Sequence, residues 1–223
     1  MTERQFLMLD VLAVSCAIQR HRGKYVNVHQ VIGGEIQEHT NKDILFFYLV
    51  PGTSPENFVP DIKLTPEDRQ QANDIIKFYR RLTFGVLADD LNNYKESIAR
   101  ILGTNDCTTK DFGILASLPS AYLRDSDRNR KERLIKEAED GVFGNEGDSV
   151  EMFCHLVDIR FVDSIQCYSH TAINAQGYLI EFLNKKQLGF EGDDIKIKGK
   201  VRNHGEHFYT HKALTRLNYV KIV

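Results

Sequence analysis

Hydrophobic positions change their period along the chain, from helical spacing in the first two thirds to strand-like alternation after Gly141. Thr2 is placed to cap a helix over residues 3–20, read as an amphipathic core helix ending before Arg22-Gly23-Lys24. A helical stretch over 27–39 is weakened by Gly33-Gly34, and the run 44–50 fits a helix or a buried strand. Pro51-Gly52-Thr53-Ser54-Pro55 and Pro60 mark a loop. Thr65-Pro66-Glu67-Asp68 is a strong start signal: a capping Thr, Pro in the first turn, then acids at the positive helix end. That helix is expected to reach Arg81 and to bury Ala72, Ile75, Ile76 and Tyr79. Further helices are expected over 86–102, closing at Gly103, and from Thr108 or Thr109 through Leu115. After Pro119-Ser120 a very polar one covers 121–140, its mixed-sign run 124–133 fitting a solvated face.

Beyond Gly141, residues 150–161 alternate as a first strand, and Ala175-Gln176-Gly177 turns the chain into a strand over 178–183. Gly192-Asp193 leads into a lysine-rich strand, and 214–223 supplies the last. Four or five short strands joined by Gly turns fit a small barrel. The expectation is an α+β chain with a helix-rich domain at 1–140, a sub-boundary at 51–64, and a barrel at 141–223.

Charge changes the picture more than composition does. At 42% hydrophobic and 27% charged the chain is an ordinary globular one, which argues against disorder. Its net charge of −2 would not flag a polyanion binder. Yet residues 195–223 carry five Lys and two Arg against Glu206 alone, a net +6 that leaves −8 for residues 1–194. In Asp194-Ile195-Lys196-Ile197-Lys198-Gly199-Lys200-Val201-Arg202, apolar and positive residues alternate. A strand there would set Lys196, Lys198, Lys200 and Arg202 on one face, a cationic stripe suited to a polyanion. The four Cys are scattered with no C-x-x-C pair, which fits buried thiols in a reducing compartment rather than zinc or disulfides. Asp10 interrupts the apolar run near the N-terminus, so that run is not read as a signal peptide, and no apolar segment has the length of a membrane span. A soluble, cytoplasmic protein is expected.

The C-terminal third resembles a module that ends many bacteriophage proteins of DNA replication and recombination. The likeness rests on Gly199-Lys200-Val201-Arg202-Asn203-His204-Gly205-Glu206, followed by Thr210-His211-Lys212-Ala213-Leu214-Thr215-Arg216-Leu217-Asn218-Tyr219-Val220. Asn174-Ala175-Gln176-Gly177-Tyr178-Leu179-Ile180-Glu181-Phe182 and Gly147-Asp148 fit the same layout, and a thinner likeness reaches back to Leu91-Asn92-Asn93-Tyr94 and to Gly113 through Tyr122. Tyr178 and Phe182 stand where relatives carry a Trp-Phe pair, and the zinc-binding Cys pair of some relatives is missing. The resemblance implies an oligonucleotide-binding (OB-like) barrel with the basic segment as its third and fourth strands and His204 to Glu206 at their turn. It also implies a phage protein of an infected bacterial host, with single-stranded DNA as the partner and RNA as the other candidate.

Single strands are held by cations along the phosphates and by aromatic faces under the bases. The expected interface is therefore Lys196, Lys198, Lys200, Arg202, His204, Tyr209, Lys212, Arg216 and Tyr219; Phe208 is a further candidate ring beside the stripe, for which a plug of the barrel is the favoured reading. His204, His207 and His211 have a spacing on an irregular turn that does not specify a metal, and no cofactor is expected. Asp148, Glu151, Asp158, Asp163 and Glu181, with Lys185-Lys186, do not match the E-x-K arrangement of the common nuclease fold. No G-x-x-x-x-G-K-[ST] or G-x-S-x-G occurs, so the chain is read as a binding protein rather than an enzyme. The reading of another class is a protein-interaction or inhibitor module directed at a host or phage enzyme.

Overall fold

Three Thr-x-x-Asp sequences start helices in the N-terminal part of the chain. In each, the Asp carboxylate accepts the backbone N–H of the Thr, at 3.2 Å for Thr40 and Asp43, 2.8 Å for Thr65 and Asp68, and 2.9 Å for Thr108 and Asp111. A donor that no helical carbonyl reaches is thereby satisfied. The computed structural model describes residues 4–32, 39–55, 61–84 and 93–223. The expected cap at Thr2, residues 33–38, Pro60 and residues 86–92 lie outside them. The chain divides into two units, Met1–Asp125 and Ser126–Val223.

In the first unit β1 (Phe6–Leu7) runs into α1 (Met8–Arg22), followed by α2 (Val28–Ile32), α3 (Asn41–Leu49), α4 (Pro66–Phe84), α5 (Asn93–Leu102), β2 (Asp106–Cys107) and the start of α6 (Phe112–Glu137). β1 and β2 pair antiparallel. The first helix is not amphipathic as expected. Val11 through Ile18 are all buried, so α1 is enclosed on nearly every side, and the hydroxyl of Ser15 donates to the Val11 carbonyl at 2.9 Å. Gly23, at φ 68°, ends it in the left-handed cap that a side chain would strain. The ambiguous run around residue 45 is helical, as α3. Ala72, Ile75, Ile76 and Tyr79 are buried on α4 as expected. Arg20 grips Asp68 through two bonds of 2.9 Å. Burial by itself would raise the Asp68 carboxyl, but Arg20 and Thr65 outweigh it and hold the group below its ordinary value.

The expected break at Pro119 does not occur; Pro119 lies inside α6. Leu115, Ala116 and Leu118 are fully buried around it, and that packing holds a helix that propensity alone would interrupt. The expected boundary at 140/141 falls after this helix, whereas the division into units falls within it.

The second unit is an OB-like closed barrel of β3 (Ser149–Val162), β4 (Cys167–Asn174), β5 (Leu179–Asn184), β6 (Asp194–Glu206) and β7 (Ala213–Ile222). The strands close in the order β3-β4-β5-β7-β6, antiparallel except for β5 with β7. The lysine-rich segment and the segment after it are thus the fourth and fifth strands, not the third and fourth. His204 to Glu206 belong to β6 itself, and the turn follows them. The barrel strand that sequence reading missed is β4. Its inward positions include His170 and Ala172, so no apolar alternation announces it. Met152, Leu156, Ile180, Phe182, Ile197 and Leu217 fill the interior.

His170 packs flat on Phe182, with ring centroids 4.7 Å apart and planes 8° from parallel, and its Nε2 accepts the Leu188 N–H at 3.0 Å. Burial holds its pKa below the ordinary histidine value, against the pull of backbone partners at Tyr168 and Phe182. The unfolded chain takes up a proton near ~6.5 that the barrel refuses until lower pH. Stability is therefore full above that value and declines as pH falls below it. The urea midpoint is expected to fall between about pH 7 and pH 5.5, and to fall less in His170→Gln; an equal decline in both proteins would remove His170 as the cause.

Candidate nucleic-acid interface

Alternation in β6 works as the sequence predicts. Ile197, Gly199 and Val201 turn inward and are buried, while Lys198, Lys200 and Arg202 are exposed and Lys196 half-exposed. To one side lies β3, where Ser149, Glu151 and Phe153 face Lys200, Lys198 and Lys196. To the other lies β7, where Lys221 faces Lys198 and Asn218 faces Lys200. Between those two pairs the register shifts, and Tyr219 is the extra residue. Its φ is 56°, a left-handed conformation rare for a bulky residue, and its side chain is 85% exposed. Gly199 faces the bulge, where a Cβ would stand 3.1 Å from Val220 Cγ2 and 3.3 Å from the Asn218 carbonyl. A side chain at residue 199 would therefore press on the bulge, which glycine does not. Gly147, Ser149, Lys198, Lys200, Tyr219 and Lys221 line an open groove of about 530 Å³ here.

The cations of this face are not equivalent. Lys196 reaches Glu151 at 2.6 Å and lies 5.7 Å from the centroid of the Phe153 ring. The contact with Lys196 holds the Glu151 carboxyl below its usual range. Among the described residues Lys198, Lys200, Arg202 and Lys221 make no salt bridge. Lys198 and Lys221 stand directly opposite each other, a like-charge pairing that weakens a sheet unless an anion is shared.

Other expected interface residues are engaged elsewhere. Lys212 donates to the Ala138 carbonyl at 2.9 Å, beyond the end of α6. Arg216 pairs with Glu181 at 2.8 Å and lies over Gly205. After the second register shift of β6, at Arg202, His204 turns to Thr215 Oγ1 at 3.3 Å. Tyr209 is on the turn between β6 and β7, edge-on to Phe208 at 4.9 Å. Phe208 does not plug the barrel. It is 81% exposed, and the buried side chain of that turn is His207, whose Nδ1 meets Thr210 Oγ1 at 2.9 Å. His204, His207 and His211 thus face different partners, and the described residues hold no group of three His, Cys, Asp or Glu placed for a metal. The carboxylates weighed for a nuclease are dispersed too: Glu151 on Lys196, Asp158 on Lys131, Glu181 on Arg216.

The face most used by OB barrels, on the second and third strands, is covered in part in this chain. Leu134 and Ile135 of α6 pack with Val157, Ile173, Leu179 and Leu214 on the outside of the barrel. Lys131 fixes them there, with Asp158 at 2.8 Å, Glu191 at 2.7 Å and Asp127 at 3.0 Å. Burial alone would lower the Lys131 pKa, but the three carboxylates reverse the effect and raise it. The face of β3, β6 and β7 is the cationic one left open.

Sequence reasoning overlooked Phe153 and Lys221. Phe153 was legible as an aromatic at an outward position of an alternating strand. Lys221 was not, because the bulge that orients it leaves no mark in the pattern. No helix among the described residues is long and apolar enough to cross a membrane. No family model, curated protein or solved structure matches the chain.

Proposed function

We propose that this chain is a non-enzymatic single-stranded-DNA-binding accessory protein of phage DNA replication or recombination. It holds the strand without sequence preference on the outer face of β3, β6 and β7. The observation that carries the reading is the excess positive charge of that face, which among the described residues no salt bridge takes up: Lys198 opposite Lys221, with Lys200 beside them and Tyr219 standing out of the groove. A phosphate chain neutralises such a row, and an exposed ring offers a base its face. The motif likeness of residues 199–220 to phage replication and recombination proteins supplies the biological setting, and RNA is the competing ligand.

A labelled oligothymidine titrated at increasing salt tests it. Three phosphate contacts give a log–log slope of about −2, at ~0.7 per phosphate for single strands. Absence of binding at low salt, or binding indifferent to salt, would overturn the reading. It would leave the exposed Phe208–Tyr209 pair as the best starting point for a protein-docking role.

A further inference from the structure

Two exposed rings share the cationic face: Phe153 on β3, 59% exposed, and Tyr219 on β7, 85% exposed. Each has a local cause to stand where it does. Lys196, itself tethered by Glu151, lies against the Phe153 ring, and the bulge turns Tyr219 outward. They sit two strands apart and about three residues apart along the strands, because Phe153 faces Lys196 while Tyr219 falls between the partners of Lys198 and Lys200. With ~4.8 Å between strands and ~3.3 Å per residue, the rings are about 14 Å apart on a diagonal across β6. Lys198 lies between them.

We propose that Phe153 and Tyr219 are the two ends of a stacking track for unpaired bases, with the phosphates between them held by Lys198, Lys200 and Lys221. This rests on the nucleic-acid reading above and specifies its ligand. A separation of ~14 Å spans several nucleotides, and a ring stacks only on a base whose face is free, so bases meeting both rings belong to an unpaired strand. A base inside a duplex shows no free face, so away from its ends duplex DNA touches only the lysines. Lys196, already neutralised by Glu151, positions Phe153 and adds little to the phosphate contacts.

The test compares Phe153→Ala, Tyr219→Ala and Lys198→Gln on an oligothymidine, an abasic strand of the same length and a blunt duplex. Each ring variant is expected to lose about 5- to 150-fold on oligothymidine, the worth of one stacked base. It should keep the wild-type salt slope and bind the abasic strand and the duplex as wild type does. Lys198→Gln is expected to reduce the salt slope by about 0.7 on the two single strands and by about 0.9 on the duplex, wherever they bind. Both rings are exposed, so loss of fold does not confound their removal. Unchanged oligothymidine affinity in both ring variants, or wild-type binding of the abasic strand as tight as of oligothymidine, would overturn the track while leaving the lysine interface standing. Failure of the wild type to bind any of the three would remove the interface itself.

Discussion

Changing Lys198 and Lys200 together to Gln is expected to weaken oligothymidine binding about 60-fold at ~50 mM salt and to make the salt slope shallower by about 1.4. Both figures come from one source. Each phosphate neutralised on a single strand contributes ~0.7 to the slope, and two such contacts extrapolated from molar salt give that factor. Both ammonium groups are exposed, and among the described residues neither makes a salt bridge, so their loss leaves no buried charge behind. Folding should be untouched, which a thermal melt of the variant checks. Lys212→Gln and Arg216→Gln are the controls, since those cations are taken by the Ala138 carbonyl and by Glu181. A double variant that kept the wild-type slope, or a control that lost as much, would place the strand elsewhere on the barrel.

The second large effect is on stability. Phe182 is 2% exposed and lies against His170 inside the barrel. Phe182→Ala removes a ring from a packed interior and leaves a cavity, at a cost of about 3–5 kcal/mol. For a unit of this size each kcal/mol lowers the melting temperature by roughly 4–8 °C, so a fall of about 12 °C or more is expected in a calorimetric scan. A shift below about 5 °C would mean that the interior collapses onto the space, and that the His170–Phe182 stack is not central to the barrel.

Legibility followed the rules that made each element. The lysine strand could be read because its inward side is aliphatic or Gly and its outward side charged. The T-x-x-D caps at Thr65 and Thr108 could be read because capping is local, whereas the same signal at Thr40 was overlooked. Cys167–Asn174 could not, since the barrel fills that inward position with a histidine whose ring behaves there as an apolar one. Nor could Pro119, where tertiary burial overrides a local rule. Within the interface, sequence identified cations but not their partners. Arg216 with Glu181 and Lys131 with Asp158 and Glu191 are meetings of distant segments, which no window of sequence contains.

The extra residue at Tyr219 has a consequence beyond the ring it displays. Side chains along a strand alternate with a period of two, so one inserted residue reverses the parity of everything after it. With the bulge, Lys221 faces Lys198 outside and Ile222 faces Ile197. Keep Tyr219 in a regular ladder without the bulge, and Lys221 falls opposite Ile197, driven toward the apolar interior, while Val220 moves out opposite Lys198. Tyr219 thus works as a frameshift in three dimensions: one left-handed residue decides whether the end of the chain reads as surface or as core.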